Sequence, residues 1–145
     1  MGKHPQSIKT FKMQKRITGI MIDFISMVSC RNLFRSLEIL PLVSQYILSL
    51  MLFVVKNKNF FPLNSENHAK STRTFNNFYQ PITKLAIYER AVHYVGIKIF
   101  SNLPPYLKDI SNDVREFENC LKRFLIIHSF YSIEEYLQYK YITNL

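Results

Sequence analysis

Tryptophan is absent from this sequence, and glycine and cysteine are scarce: the 145 residues include three Gly and two Cys. A chain so poor in glycine and rich in Leu, Ile and Lys favours helices. The cysteines, Cys30 and Cys120, form no CxxC pair, which argues against a disulfide-rich scaffold or a paired-cysteine metal site. They leave room for one disulfide, but their apolar neighbours favour reduced core thiols of an intracellular protein, nuclear or cytoplasmic.

Acidic residues are also few, and their arrangement argues against metal-dependent catalysis. The three aspartates, Asp23, Asp109 and Asp113, include no adjacent pair. Phosphoryl transfer by two metal ions needs clustered carboxylates that hold the ions about 4 Å apart. The four histidines stand in no HExxH or Cys-x-x-Cys…His arrangement, so the sequence offers no support for a zinc site. We therefore expect no catalytic residue, no metal and no cofactor in this chain.

What the chain does contain is typical of one small, basic, globular domain spanning residues 1–145. Hydrophobic residues make up 48% and charged residues 20% of the sequence, which has room for a single core. The net charge is +9, and this favours polyanionic partners such as nucleic acid. The charge is uneven: residues 1–35 carry seven basic groups and one acid, whereas residues 99–145 carry five basic groups and six acids.

Helical spacing dominates residues 1–58. Residues 8–28 predict a helix with an apolar stripe and a separate basic face. Ser29 suits the N-cap of a second helix ending near Glu38, and Pro41 suits the first turn of a third helix. The apolar residues 39–55 favour a buried core helix over a membrane anchor, which stays open as an alternative. The stripe consists of Ile17, Ile20, Met21, Phe24 and Val28, and the basic face of Lys9, Lys12 and Arg16 with Lys15 beside it.

The middle of the chain changes character. Residues 59–84 are rich in Asn, Ser, Lys and Thr and predict a polar loop, with a short strand at Phe75–Ile82. In the segment that follows, the apolar spacing fits a strand and a helix alike. We expect a strand through Ile87–Tyr94, which would complete a small β-hairpin, and then a helix from Gly96 to Asn102.

Helical signals return in the last third of the chain, so residues 85–145 are expected to form a mixed segment followed by C-terminal helices. Ser111 or Asn112 is the expected N-cap of a helix with one apolar face. Ser132 and Glu135 have the spacing of a capping box, so a final helix should run to about Lys140. The fold expected is mainly α, with about five helices and a short β-hairpin. The apolar face comprises Val114, Phe117, Leu121, Phe124, Leu125 and His128.

Several short strings resemble the region behind the polymerase in jockey-like LINE elements, a group of non-LTR retrotransposons. They follow the family's order and spacing over residues 12–137, and several weak motifs in the right order are stronger than any one alone. Two resemble family patterns, H-x-x-x-T-R at His68–Arg73 and Y-x-G-x-K-x-(Y/W)-N-x-L-P at Tyr94–Pro104. The others are Gln14–Arg16, Ser29–Phe34, Leu37–Leu42, Tyr46–Ile47, Phe117–Leu125 and Phe130–Glu135.

The resemblance implies that this region is an accessory C-terminal segment of a retrotransposon reverse transcriptase, an RNA-directed DNA polymerase. The fingers, palm and thumb of such a polymerase are not recognisable in these residues, so the segment is expected to be non-catalytic by itself. At Phe100–Asn102 the family pattern has Tyr or Trp followed directly by Asn, and this departure favours an alternative: a degenerate transposon-derived open reading frame without selected activity. A small membrane-anchored protein is the second alternative.

The residues expected to carry function are basic. Lys9, Lys12, Lys15 and Arg16 lie within eight residues of one helix, and such a stripe suits weak, sequence-independent contact with RNA or DNA phosphates. The alternative is an ordinary solvated face. Arg73 could contact a phosphate or, together with His68 and Thr72, hold the polar loop to the core. The structural motif residues are His68, Thr72, Asn102, Leu103 and Pro104.

Overall fold

A computed structural model describes residues 5–21, 30–61 and 87–139, and these three ranges are mainly helical. They contain seven α-helices and no strand, which confirms the predicted helical class but exceeds the expected number of helices. The helices are α1 (Pro5–Met21), α2 (Cys30–Ser36), α3 (Leu42–Lys56), α4 (Ile87–Ser101), α5 (Pro105–Asp109), α6 (Val114–His128) and α7 (Ile133–Gln138). Short 3-10 turns follow α3 and α5, at Lys58–Phe60 and Ile110–Asn112.

The chain forms two compact units. Unit 1 comprises Met1–Leu48 and Leu121–Tyr139, and unit 2 comprises Ser49–Cys120 and Lys140–Leu145. Residues 62–86 lie outside the described ranges, and they include most of the predicted polar loop and the strand expected at Phe75–Ile82.

In unit 1, the predicted capping box at the start of α7 is confirmed. The Ser132 hydroxyl accepts a hydrogen bond from the Glu135 amide at 3.0 Å. The Glu135 carboxylate accepts from the Tyr131 amide at 2.9 Å, one residue before the N-cap. The two side chains therefore satisfy one amide of the first helical turn, that of Glu135, and the Tyr131 amide just before the helix.

The end of α2 has a glutamate where glycine is the usual residue. Glu38 adopts a left-handed conformation with φ of 53°. Its amide donates to the Arg35 carbonyl at 3.1 Å, and the Ile39 amide donates to the Phe34 carbonyl at 2.9 Å. This pair of bonds is the Schellman motif, which ends the helix at the cost of placing a side chain in a left-handed backbone.

The most apolar helix, α3, begins and ends within a residue of the prediction. The Pro41 carbonyl accepts from the Gln45 amide at 2.9 Å, so Pro41 precedes the first helical residue. The apolar side chains on one face are buried, as expected of a core helix. Among the residues that the structure describes, no helix is long and apolar enough to cross a bilayer. The buried residues are Ile47, Leu50, Met51, Val54 and Val55.

In unit 2, the strand predicted at Ile87–Tyr94 is wrong, because these residues form the first half of the continuous helix α4. Close packing against α3 explains the helix. A Cβ atom added at Gly96 would lie 2.9 Å from Cγ2 of Val54, so α4 approaches α3 more closely than any other residue would allow. Val95, Ile99 and Phe100 are buried around this contact. The β-branched residues of the segment do not by themselves decide its conformation.

The segment Asn102–Pro104 forms the corner between α4 and α5. As expected, α4 ends before Pro104 and Pro105. Leu103 is only 2% exposed, and the Asn102 side chain donates to the Lys98 carbonyl at 2.9 Å. Pro104 is buried, and its carbonyl accepts from the amides of Leu107 and Lys108. Helix α5 itself was not anticipated. These contacts are consistent with a structural role for the motif.

The N-cap of α6 was predicted one or two residues too early. The carboxylate of Asp113 accepts from the amides of Arg115 and Glu116, each at 3.0 Å. Ser111 and Asn112 lie instead in the preceding 3-10 turn, where both accept hydrogen bonds from the ammonium of Lys58. Burial lowers the pKa of Lys58.

The predicted apolar face of α6 is confirmed. Phe117, Leu121, Phe124 and Leu125 are buried, and His128 is half-buried at the end of the same face.

Candidate nucleic-acid interface

The orientation of α1 within unit 1 is set by one polar side chain. The amide nitrogen of Gln14 donates to the Leu40 carbonyl at 2.9 Å, and its amide oxygen accepts from the Leu42 amide at 3.0 Å. Leu42 is the first residue of α3, so Gln14 satisfies an amide that has no partner within its own helix. One turn further along α1, Thr18 is 2% exposed and donates to the Gln14 carbonyl.

An aromatic contact fixes the same face of α1. The ring of Phe11 lies parallel to that of Phe34 with centroids 6.4 Å apart, and edge-on to that of Tyr131 at 5.0 Å. Phe11, Gln14 and Thr18 follow one another at helical spacing and form the inward face of the helix.

Helical spacing predicted an apolar stripe on this helix, but the stripe is not its buried face. Ile17 is 51% exposed and Ile20 is 69% exposed. The physical reason is that the stripe and the face carrying Phe11 and Gln14 lie on different sides of α1, and one helix can bury only one of them here. The two hydrogen bonds of Gln14 and the large aromatic side chain of Phe11 favour burial of the face that carries them. The other stripe residues, Phe24 and Val28, lie outside the described residues, as does the side chain of Met21.

The inward face turns three of the predicted cations towards solvent. Lys9, Lys12 and Arg16 are all exposed. They are three and four residues apart, so they lie on one side of the helix over about 10.5 Å of its axis. No acidic residue occurs in α1. Within the described ranges, the one salt bridge is elsewhere, between Arg31 and Glu135 at 2.8 Å. Among the described residues, none of these three cations forms a salt bridge, and we call the three together the basic strip.

Lys15 does not belong to this strip. It is half-buried, and its ammonium lies 4.6 Å from the centroids of both Phe11 and Tyr131. The guanidinium of Arg31 also lies 4.6 Å from the Tyr131 ring. Tyr131 is thus placed between two cations, and burial raises the pKa of its hydroxyl. Cation–π contacts of this kind stabilise the packing of α1 rather than leave the charge available to a ligand.

The remaining predicted site residues do not belong to α1. Arg73, His68 and Thr72 lie outside the described residues. Asn102, Leu103 and Pro104 belong to unit 2 and form the corner between α4 and α5. Both cysteines are half-buried and free.

No grouping of chemically reactive side chains competes with the basic strip. In the described part of the chain, no three His, Cys, Asp or Glu residues are close enough together to hold a metal ion. His128 packs among Phe124, Phe130 and Tyr139, with ring centroids 4.5 to 5.5 Å away. Burial, and secondarily Arg35, lowers its pKa.

Two residues of the predicted apolar stripe, Ile17 and Ile20, are exposed beside the basic strip, and so is Met13, which the predicted stripe did not include. The signal that could have revealed this arrangement is Phe11, the only aromatic residue of α1, which marks its own face as the inward one.

Neither a family model nor a curated protein nor a solved structure matches this chain.

Proposed function

We propose that this chain is an accessory C-terminal segment of a retrotransposon RNA-directed DNA polymerase, non-catalytic by itself, that binds nucleic acid weakly and without reading its sequence. The observation that carries the binding proposal is the basic strip of Lys9, Lys12 and Arg16, exposed on one side of α1 and compensated by no acidic residue of that helix. The retrotransposon origin is supported by the ordered strings that resemble the jockey-like region.

Electrostatics predicts how such a strip binds. Each lysine or arginine that neutralises a phosphate releases condensed counterions, and this release drives the association. Three cations on a convex helix surface can contact backbone phosphates but present no bidentate arrangement towards base edges. Binding should therefore be weak, salt-dependent and indifferent to sequence.

The test compares two triple variants that remove the same charge. Lys9→Gln, Lys12→Gln and Arg16→Gln together remove the basic strip. Arg115→Gln, Lys122→Gln and Arg123→Gln remove three exposed cations from α6, where Glu116 and Glu118 lie close by in the sequence. Binding of a fluorescently labelled duplex is measured by anisotropy at several salt concentrations, and circular dichroism verifies that each variant is folded.

The wild-type chain should lose about 40-fold in duplex affinity between 50 and 200 mM salt, the dependence expected for three neutralised phosphates. The α1 variant should bind at least about tenfold more weakly at 50 mM salt and show a much flatter salt dependence. The α6 variant should resemble the wild type. Equal weakening in both variants would refute the assignment to α1. Absence of wild-type binding at 50 mM salt would refute the binding proposal and favour a degenerate open reading frame.

A further inference from the structure

Three large apolar side chains are exposed next to the basic strip. Met13 is 62% exposed, Ile17 51% and Ile20 69%. They are spaced four and three residues apart and therefore form a second strip along α1, which we call the apolar strip. Side chains of this size are usually withdrawn from water, and a row of them on one helix marks a surface that binds something.

The two strips are neighbours with matching dimensions. At 100° per residue, the cations fall within about 60° of the helix circumference, and the apolar side chains fall within the adjacent 60° or so. Each strip covers eight residues, or about 10.5 Å of the axis, and the apolar strip begins four residues, about 6 Å, further along the helix. A ligand that follows the helix would therefore meet charge along one edge and apolar surface along the other.

We infer that this surface binds an unpaired nucleic-acid strand in preference to a duplex, an inference that rests on the proposed nucleic-acid binding. A duplex presents phosphates outward and keeps its base faces stacked inside. An unpaired strand exposes both, so its phosphates can lie along the basic strip while its base faces cover Met13, Ile17 and Ile20. RNA and DNA strands share this chemistry, because it involves neither base edges nor the sugar hydroxyl.

An anionic membrane surface is the competing partner for a basic and apolar helix. A helix that lies in a bilayer interface buries a broad apolar face with its polar residues on the opposite side. In α1 the apolar face available to lipid is narrow, because Phe11, Gln14 and Thr18 hold a neighbouring side of the helix to unit 1. The apolar strip is a single row of three side chains, about 60° wide, with cations along one edge only. This one-sided arrangement matches a strand better than a lipid surface.

The experiment uses the full chain and three probes of one mixed sequence: a single DNA strand, the corresponding RNA strand and the DNA duplex. We expect both single strands to bind about tenfold more tightly than the duplex, which corresponds to about 1.4 kcal/mol. Covering about 55 Å² of apolar surface suffices for this difference. Because single strands release fewer counterions per phosphate, the preference should grow about twofold between 50 and 200 mM salt.

The decisive variant replaces the apolar strip by Met13→Gln, Ile17→Gln and Ile20→Gln, which makes it polar and adds no charge, and Gln is at least as good a helix former as Ile. It should lose the preference for single strands and retain the duplex affinity and its salt dependence. The matched control, Val92→Gln, Tyr106→Gln and Ile127→Gln, removes exposed apolar residues elsewhere and should keep the preference.

The outcomes separate this inference from the proposed function. Equal affinity of the wild type for strands and duplex would overturn the inference and leave nucleic-acid binding intact, as would an unchanged preference in the apolar-strip variant. Binding to anionic phosphatidylserine vesicles with no binding to any nucleic acid would overturn both.

Discussion

The close approach of α3 and α4 at Gly96 makes a single methyl group a sensitive probe of unit 2. In Gly96→Ala the new Cβ would lie 2.9 Å from Cγ2 of Val54 and 3.8 Å from Cε1 of Phe61. Carbon atoms pack best at about 3.5 to 4.0 Å. The distance to Val54 is therefore too short by about 0.6 Å or more, whereas the distance to Phe61 is an ordinary contact. Val54 is fully buried and Phe61 is 2% exposed, so neither can turn into solvent.

Two opposing effects set the magnitude of this substitution. Forcing a methyl group into a packed core costs about 1 to 3 kcal/mol. Replacing glycine by alanine inside a helix returns about 1 kcal/mol through helix propensity. We therefore expect Gly96→Ala to lower the free energy of unfolding by about 1 kcal/mol, measured by urea denaturation followed by circular dichroism.

A double-mutant cycle isolates the steric contribution. Val54→Ala removes the atom in conflict and should by itself cost about 2 kcal/mol for the cavity it leaves. In that background Gly96→Ala should become neutral or stabilising by up to about 1 kcal/mol, because only the propensity gain remains. If Gly96→Ala stabilises the wild-type chain, or has the same effect in both backgrounds, the close approach of the two helices is refuted.

Two further substitutions test unit 1 by urea denaturation. Glu38→Gly should raise the free energy of unfolding by about 0.5 to 1 kcal/mol, because a left-handed residue other than glycine costs about 1 to 2 kcal/mol and the added freedom of the unfolded chain offsets part of the gain. The stability of Glu38→Asn should fall between those of the wild type and the glycine variant. A destabilised glycine variant would argue against the left-handed cap. His128 has a pKa lowered by burial and by Arg35, so the unfolded chain takes up its proton first as the pH falls below about 6.5, and stability declines from there towards the folded-state pKa. In His128→Gln the loss of stability between pH 7.5 and 5 should be smaller than in the wild type, and identical losses would show that His128 is not the group responsible.

Local patterns succeeded where the relevant partners are close in sequence. In the capping box, the Ser132 hydroxyl accepts from the Glu135 amide as the spacing predicts, whereas the Glu135 carboxylate accepts from the Tyr131 amide, one residue before the N-cap. The apolar face of α6 likewise follows from its own periodicity, since side chains three and four residues apart lie on the same side of a helix. Asp113 shows the limit of such local reasoning: three neighbouring residues could all cap α6, and Lys58, some fifty residues earlier, binds the other two.

Local sequence was enough to predict the helical class, the ends of α2, α3, α6 and α7 to within a few residues, and the concentration of positive charge in the first part of the chain. These properties depend on backbone propensity, caps and composition, which act within about a turn of helix. The start of α4 and the whole of α5 were not predicted. Tertiary structure alone decided that residues 87–94 are helical and which face of α1 is buried. Gln14 meets Leu40 and Leu42 across 26 and 28 residues, and Phe11 meets Tyr131 from the far end of the chain. Such contacts determine which of two possible faces of α1 is buried. They cannot be predicted from the periodicity of the helix, because their partners lie far away in the sequence.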